Sequence, residues 1–146
     1  MKRVVWIFIL LFFTYFGFSE NFTLVINEFS SYPKWDWVEI YNSGNETIDL
    51  SNCSLFDDKD NKKTLTGEIN NSSFATFDWY NKLNKAGDVI KLNCSDQEID
   101  NVSFGDFDDG NTSDNAPVPG ENESCGRDPD GYDINIDSND FYIFEN

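Results

Sequence analysis

The chain has 146 residues, enough for one domain with a real core once any targeting segment is removed, and its 14 Phe, 6 Tyr and 4 Trp argue against a disordered acidic tail. Its 27 acidic residues against 10 basic ones set a net charge of -17, which repels phosphate backbones and disfavours nucleic-acid binding through a basic footprint. There is no histidine, which removes Ser-His-Asp and Cys-His catalysis, His-ligated zinc and the usual proton shuttle near neutral pH.

The chain opens with Lys2 and Arg3, followed by an apolar run from Val4 to Phe13. That run is shorter than the roughly 20 residues a membrane helix needs. Gly17 and Ser19 put small side chains where a signal peptidase reads them, with the cut after Ser19. Residues 1–19 are therefore expected to be a signal peptide and 20–146 the mature domain, secreted or at the cell surface, with no stable membrane span. An uncleaved anchor is the competing reading. Asn-X-Ser/Thr sequons begin at Asn21, Asn45, Asn52, Asn70, Asn71, Asn93, Asn101, Asn111 and Asn122. They exceed what residue abundance supplies by chance, so glycan acceptors are expected among them.

The mature chain breaks into short apolar strands separated by turn residues, with no segment of helical period. Phe22, Leu24 and Ile26 alternate with Thr23, Val25 and Asn27. Trp35 to Tyr41 follows, with Trp37, Glu39 and Tyr41 on one face and Val38 and Ile40 on the other. Trp37 and Phe77 are expected in the core. Asn42-Ser43-Gly44-Asn45 has the chemistry of a positive-φ turn. Further strands are expected at Thr47–Leu50, Leu55–Phe56, Phe74–Trp79, Asp88–Leu92, Ile99–Phe104 and Phe141–Phe144, with a hairpin around Ser95-Asp96-Gln97. Asp57–Lys63 reads as a charged loop. The stretch from Gly105 to Glu123, carrying Pro117 and Pro119, reads as irregular. An all-β sandwich of short antiparallel strands follows from this spacing.

The three cysteines, Cys53, Cys94 and Cys125, leave three pairings open outside the cell. Cys53 reads as a core position and Cys94 as a hairpin tip, which favours Cys53 with Cys125 and leaves Cys94 exposed.

Two acidic stretches space hard oxygens around a glycine, as calcium loops do. Asp106, Asp108 and Asp109 precede Gly110; Asp128, Asp130 and Asp133 surround Gly131. Neither is an EF-hand loop, and solvated acidic loops are the competing reading. Calcium is the one cofactor the sequence suggests. Tyr32, Trp35 and Trp79, next to turn residues, are candidates for a surface that stacks on sugars or binds protein.

Several segments together resemble the lamin-tail domain. Ile26-Asn27-Glu28-Phe29, Asp36-Trp37-Val38-Glu39-Ile40-Tyr41-Asn42 and Ile48-Asp49-Leu50-Ser51 are similar to the opening of its prokaryotic members. Gly87-Asp88-Val89-Ile90-Lys91-Leu92, with Ile99 to Gly105, is similar to the family's hairpin, and Ser124 to Arg127 with Pro129 to Asp133 to its "S.GR.PDG.D" segment. Cys53 and Ser54 depart from the family, which often has a Trp there. The resemblance implies an immunoglobulin-like β-sandwich. Among its charged positions, Glu28, Glu39 and Asp49 are expected to pair with backbone N–H groups or with Arg127, and Gly126 and Gly131 to supply tight turns.

No catalytic residues are indicated. The expected function is that of an exported, non-catalytic module of the cell surface or envelope, structural or binding, with an extracellular protein or glycan as partner. The alternative is an accessory or stand-alone secreted hydrolase that uses carboxylates, with or without a divalent metal. N-terminal sequencing of the native protein should begin near Glu20; an intact Met1 in a membrane-bound form would overturn the assignment of residues 1–19.

Overall fold

A computed structural model describes residues 23–32 and 35–145. The expected signal peptide, its cut after Ser19 and the Asn21 sequon lie outside the described residues, as does the Phe22 start of the first strand.

The first two strands, β1 (Leu24–Ser30) and β2 (Trp37–Asn42), follow directly from their alternation. Val38 and Ile40 are fully buried, whereas Trp37, Glu39 and Tyr41 share the other, half-exposed face. Trp37 is thus not a core residue. The face it shares with Glu39 is turned away from the second sheet, since burying it would bury an unpaired carboxylate. After β3 (Ile48–Asp49) come β4 (Cys53–Phe56), β5 (Lys62–Thr64), β6 (Glu68–Ile69) and β7 (Ser73–Asp78). β5 occupies part of the expected charged loop. Phe77 is half-buried, packed against the core from its edge.

The hairpin falls where the turn chemistry put it. β8 (Gly87–Cys94) turns through Ser95 and Asp96, at φ 50° and 62°, into β9 (Gln97–Gly105). Two successive positive φ values match the twist of a tight hairpin, and Asp tolerates that region. The expected positive-φ turn after β2 is built differently. Asn42, fully buried, accepts from Gly44 N at 3.0 Å and donates to the carbonyls of Glu46, Ile69 and Asn70. A side chain, not a left-handed backbone, bends the chain there.

A 3-10 turn at Thr112–Asp114 interrupts the acidic stretch, and Ala116 makes a single parallel bridge to Phe104. Then follow β10 (Glu123–Arg127), one short helical turn, α1 (Asp137–Asp140), and β11 (Phe141–Glu145). β10 contains Cys125 and Arg127 but lacks an apolar alternation, so periodicity did not reveal it.

All pairings within the sheets are antiparallel. The strand orders are β11-β10-β1-β2-β7 and β5-β4-β8-β9, with β3-β6 as a separate ribbon. The two larger sheets enclose one core, in which the rings of Phe29 and Phe104 lie 4.7 Å apart. The protein is an antiparallel β-sandwich.

The structure corrects the disulfide. Cys53 and Cys94 face each other across β4 and β8, with Cα atoms 4.1 Å apart, and they are bonded. Cys125 lies in the other sheet, buried and free, so the expected Cys53–Cys125 pair does not form. Cys94 is fully buried because β4 covers the hairpin tip, with Ser95 N donating to Asn52 O at 3.0 Å. On the chain-entropy model a cross-link spanning 41 residues contributes about 4 kcal/mol.

One irregularity organises the sandwich. β1 slips register between Ile26 and Glu28, and its pairing with β10 covers only Glu28 and Phe29. The two backbone groups of Ile26 are met by side chains instead: Asp100 Oδ2 accepts its N–H at 2.6 Å, and Arg127 Nε donates to its carbonyl at 2.8 Å. Replacing Arg127 by Ala should strand Asp100 and Asp140 as uncompensated buried charges and cost about 3–5 kcal/mol. Denaturant unfolding measures it; a loss below about 1 kcal/mol would show that the buried cation is dispensable.

Candidate functional site

Arg127 is the centre of the charged interior. Its side chain is fully buried, and its guanidinium stacks over the Phe141 ring at 4.6 Å. Three carboxylates surround it: Asp100 at 3.4 Å, Asp133 at 3.3 Å and Asp140 at 3.3 Å. Its remaining donor capacity goes to Ile26 O and Tyr132 O. Glu28, Glu39 and Asp49 were expected to pair with backbone N–H groups or with Arg127, and none of the three forms an ion pair with it. Glu39 accepts from Asn27 and Thr76, whereas Asp49 Oδ1 takes Ser51 N at 2.8 Å, the backbone role expected of it.

The loop that resembles the family's third segment is tied to the β1 bulge. Asn27 donates to Asp130 Oδ1 at 3.0 Å and accepts from Gly131 N at 2.9 Å. Gly131 does supply a turn, at φ +70°, with the Tyr41 ring where a Cβ would stand. Gly126 serves a different purpose. It lies within β10, and a Cβ there would meet Glu28 Cγ at 2.9 Å, so the small residue allows the two backbones to approach.

One cation among three carboxylates leaves negative charge unbalanced, and burial raises its cost. Asp100 is pushed up to about 6, chiefly by desolvation and against the pull of Arg127. Nearby Asp137 is pushed up to about 7 by desolvation, opposed by Ser103 N, which donates to it at 2.8 Å. Burial also raises the Cys125 thiol. Asp137 faces a polar recess of about 130 Å³ with Asn101, Ser103, Asp109, Asp114 and Asn135.

The six carboxylates nominated for calcium do not converge. Asp109 borders the recess and accepts from Ser103 Oγ. Asp108 caps the N–H of Gly110, while Asp106 and Asp128 are exposed. Asp130 holds Asn27, and Asp133 lies against Arg127. Among the described residues, the carboxylates that do converge are Asp57, Asp58 and Asp88, with one oxygen of each within 4.8 Å of the others. Asp57 and Asp88 are fully buried, and between them they accept from Lys59 N, Asn61 N, Asn61 Nδ2, Asp58 N, Val89 N and Asn84 N. Their oxygens close two turns, and a hard cation beside them would have to share those bonds. Asp57 was read as loop, and its partner lies 31 positions away in sequence, so one-dimensional spacing carried no signal for the pair.

Aromatic groups divide between surface and core. Trp79, a surface candidate, is buried at 4% exposure, since it turns inward at the end of β7. Trp35 is 70% exposed and meets Tyr80 edge-on at 5.4 Å. Lys85 Nζ sits over the Tyr32 ring at 4.3 Å. Of the described sequons, Asn45, Asn52, Asn70, Asn71, Asn101, Asn111 and Asn122 are exposed, whereas Asn93 is half-buried in β8. Among the described residues no helix is long and apolar enough to cross a membrane. No family model, curated protein or solved structure matches the chain.

The raised carboxyls set a direction for pH dependence. Between the unfolded value near 3.8 and the folded values of about 6 and 7, the native state holds protons that the unfolded chain releases. Their stabilising contribution is therefore full below about pH 4 and lost as pH rises through 7. The melting temperature should fall from pH 5 to pH 8, and Asp137→Asn should flatten that fall. Thermal scans of the two proteins check it; parallel curves would show that Asp137 does not titrate in this window.

Proposed function

We propose that this protein is an exported, non-catalytic β-sandwich module of the cell surface or envelope, of lamin-tail type with an immunoglobulin-like arrangement, and glycosylated where its exposed sequons allow. It binds an extracellular protein or a glycan. The observation that carries the reading is the employment of its buried charges. Asp36, Asp57, Asp88, Asp100 and Asp140 all spend carboxylate oxygens on backbone N–H groups or on Arg127. These groups hold loops in place, and what the domain turns outward beside them is aromatic: Trp35 against Tyr80, the kind of amphipathic pair that stacks on a sugar face or a protein surface. Most of the motifs that resemble the lamin tail lie on β1, β2, β8, β9 and β10, five of the nine strands of the two larger sheets, with Ile48–Ser51 at the β3 ribbon and Pro129–Asp133 in the loop after β10, and this supports the family reading without specifying a partner.

A second reading, a carboxylate hydrolase, is favoured by one observation: Asp137, with its pKa near neutrality, faces Asp109 and Asp114 across a recess. The recess works against it. At about 130 Å³ it admits water but falls short of the roughly 300 Å³ at which ligand pockets begin.

Affinity capture separates the two. The purified mature protein should retain a component of cell-surface extracts, and Trp35→Ala with Tyr80→Ala should abolish retention while leaving the circular dichroism unchanged. Running the capture with millimolar calcium and with ionic-strength-matched sodium shows whether a divalent cation takes part. Hydrolysis of a glycan or peptide substrate that Asp137→Asn eliminates would overturn the non-catalytic reading.

A further inference from the structure

β11 is the outermost strand of the five-stranded sheet, and among the described residues no strand pairs with its far side. Every other backbone N–H and C=O group along it therefore points out of the sheet. Natural edges are blunted by Lys, Pro, a bulge or extreme shortness. β5 obeys this, with three residues of which two are Lys62 and Lys63. β11 does not. Its sequence FYIFE has neither Lys nor Pro, and its five pairs with β10 run in unbroken register. Tyr142, Ile143 and Phe144 are exposed by 49%, 37% and 39%. Ile134 and Ile136, also exposed, are held beside the start of the strand because their N–H groups both donate to Asp140.

This apolar edge stands in the most acidic part of the chain. Residues 92–146 hold 15 of the 27 acids and one of the ten cations, Arg127, whose side chain is fully buried. No Lys or Arg in that stretch reaches solvent. Glu123 and Glu145 lie directly opposite each other on β10 and β11, an unfavourable like-charge pair that an adjacent cation would relieve.

We propose that the free edge of β11 takes an extended, cationic segment of a partner protein as an added strand, with Lys or Arg alternating with apolar side chains. The main-chain bonds supply affinity, and the alternating side chains supply selectivity. On the outer face the apolar residues of the segment lie beside Tyr142 and Phe144. On the other face its cations reach Glu145 and Glu123, their aliphatic stems covering Ile143. A second copy of this chain is the poorer occupant, because each copy would bring the same acidic stretch and a net charge of -17 against its twin. The site lies at the opposite edge of the sheet from β7, which Tyr80 follows, and it goes beyond the function proposed above.

The test uses the purified mature protein and three ten-residue peptides: alternating Val and Lys, alternating Val and Glu, and a Pro/Lys control in which Pro alternates with Lys methylated on its main-chain nitrogen, which matches the charge but has no main-chain N–H to donate along a ladder. The Val/Lys peptide should bind at least about tenfold more tightly than either of the others by fluorescence anisotropy. It should also slow hydrogen exchange at those β11 amides that exchange fast in the free protein. Tyr142→Lys with Phe144→Lys should weaken binding at least about tenfold with the fold intact by circular dichroism, whereas Trp35→Ala should leave it unchanged. Equal binding of the Val/Lys and Pro/Lys peptides would reduce the interaction to charge and overturn the proposal. So would unchanged exchange at β11, or β11 protection that appears without peptide as a dimer forms. Any of these results would leave the capture experiment on the Trp35–Tyr80 surface standing on its own.

Discussion

The sandwich depends on a repair made by two side chains at Ile26. The bulge in β1 separates its ladder with β10 from the half of the strand that continues past it, and two buried main-chain groups are left to be satisfied. Asp100 arrives from β9 in the opposite sheet to take the N–H, and Arg127 arrives from β10 to take the carbonyl. The same Arg127–Asp100 ion pair thereby links one sheet to the other. Without these bonds each orphaned group would cost about 1–3 kcal/mol of desolvation. With them, a defect in a strand becomes the point at which the sheets are fastened together.

The consequences spread along the C-terminal part of the chain. Arg127 also binds Tyr132 O and the carboxylates of Asp133 and Asp140, so the loop after β10 wraps around it. Asp140 in turn accepts from Ile134 and Ile136, and the residue after it, Phe141, lies beneath the guanidinium as β11 begins. The position of β11, whose far edge no strand covers among the described residues, is a product of this charged hub. Burial is the main reason Asp100 and Asp137 retain protons to unusually high pH, against the pull of Arg127, with neighbouring carboxylates adding a smaller push. Interior electrostatics and the chemistry presented at the surface therefore share one origin.

The acidity of the chain divides by location. Near Arg127 and in the turns closed by Asp57 and Asp88 it is consumed in holding backbone. On the exposed loops after β9 it remains as a field, and a field of that sign selects cationic partners and repels copies of itself. One edge of the second sheet is managed differently, since β5 carries two lysines there.

What the sequence determined by itself was whatever depends on neighbours in the chain. The alternation at Val38 and Ile40, the Ser95-Asp96 hairpin and the spacing of short apolar runs are local, because side-chain direction in a strand has period two and turn conformations are set within four residues. They were enough to predict an antiparallel β-sandwich. Tertiary structure alone decided the partners. It paired Cys53 with Cys94 because β4 lies beside β8, and it buried Arg127 against Asp100, Asp133 and Asp140. It brought Asp57 to Asp88 across 31 positions, sent Trp79 inward and left Trp37 half-exposed. Each of these turns on which strands become neighbours in a sheet and which face of a sheet meets the other, and the order of residues along the chain carries neither quantity.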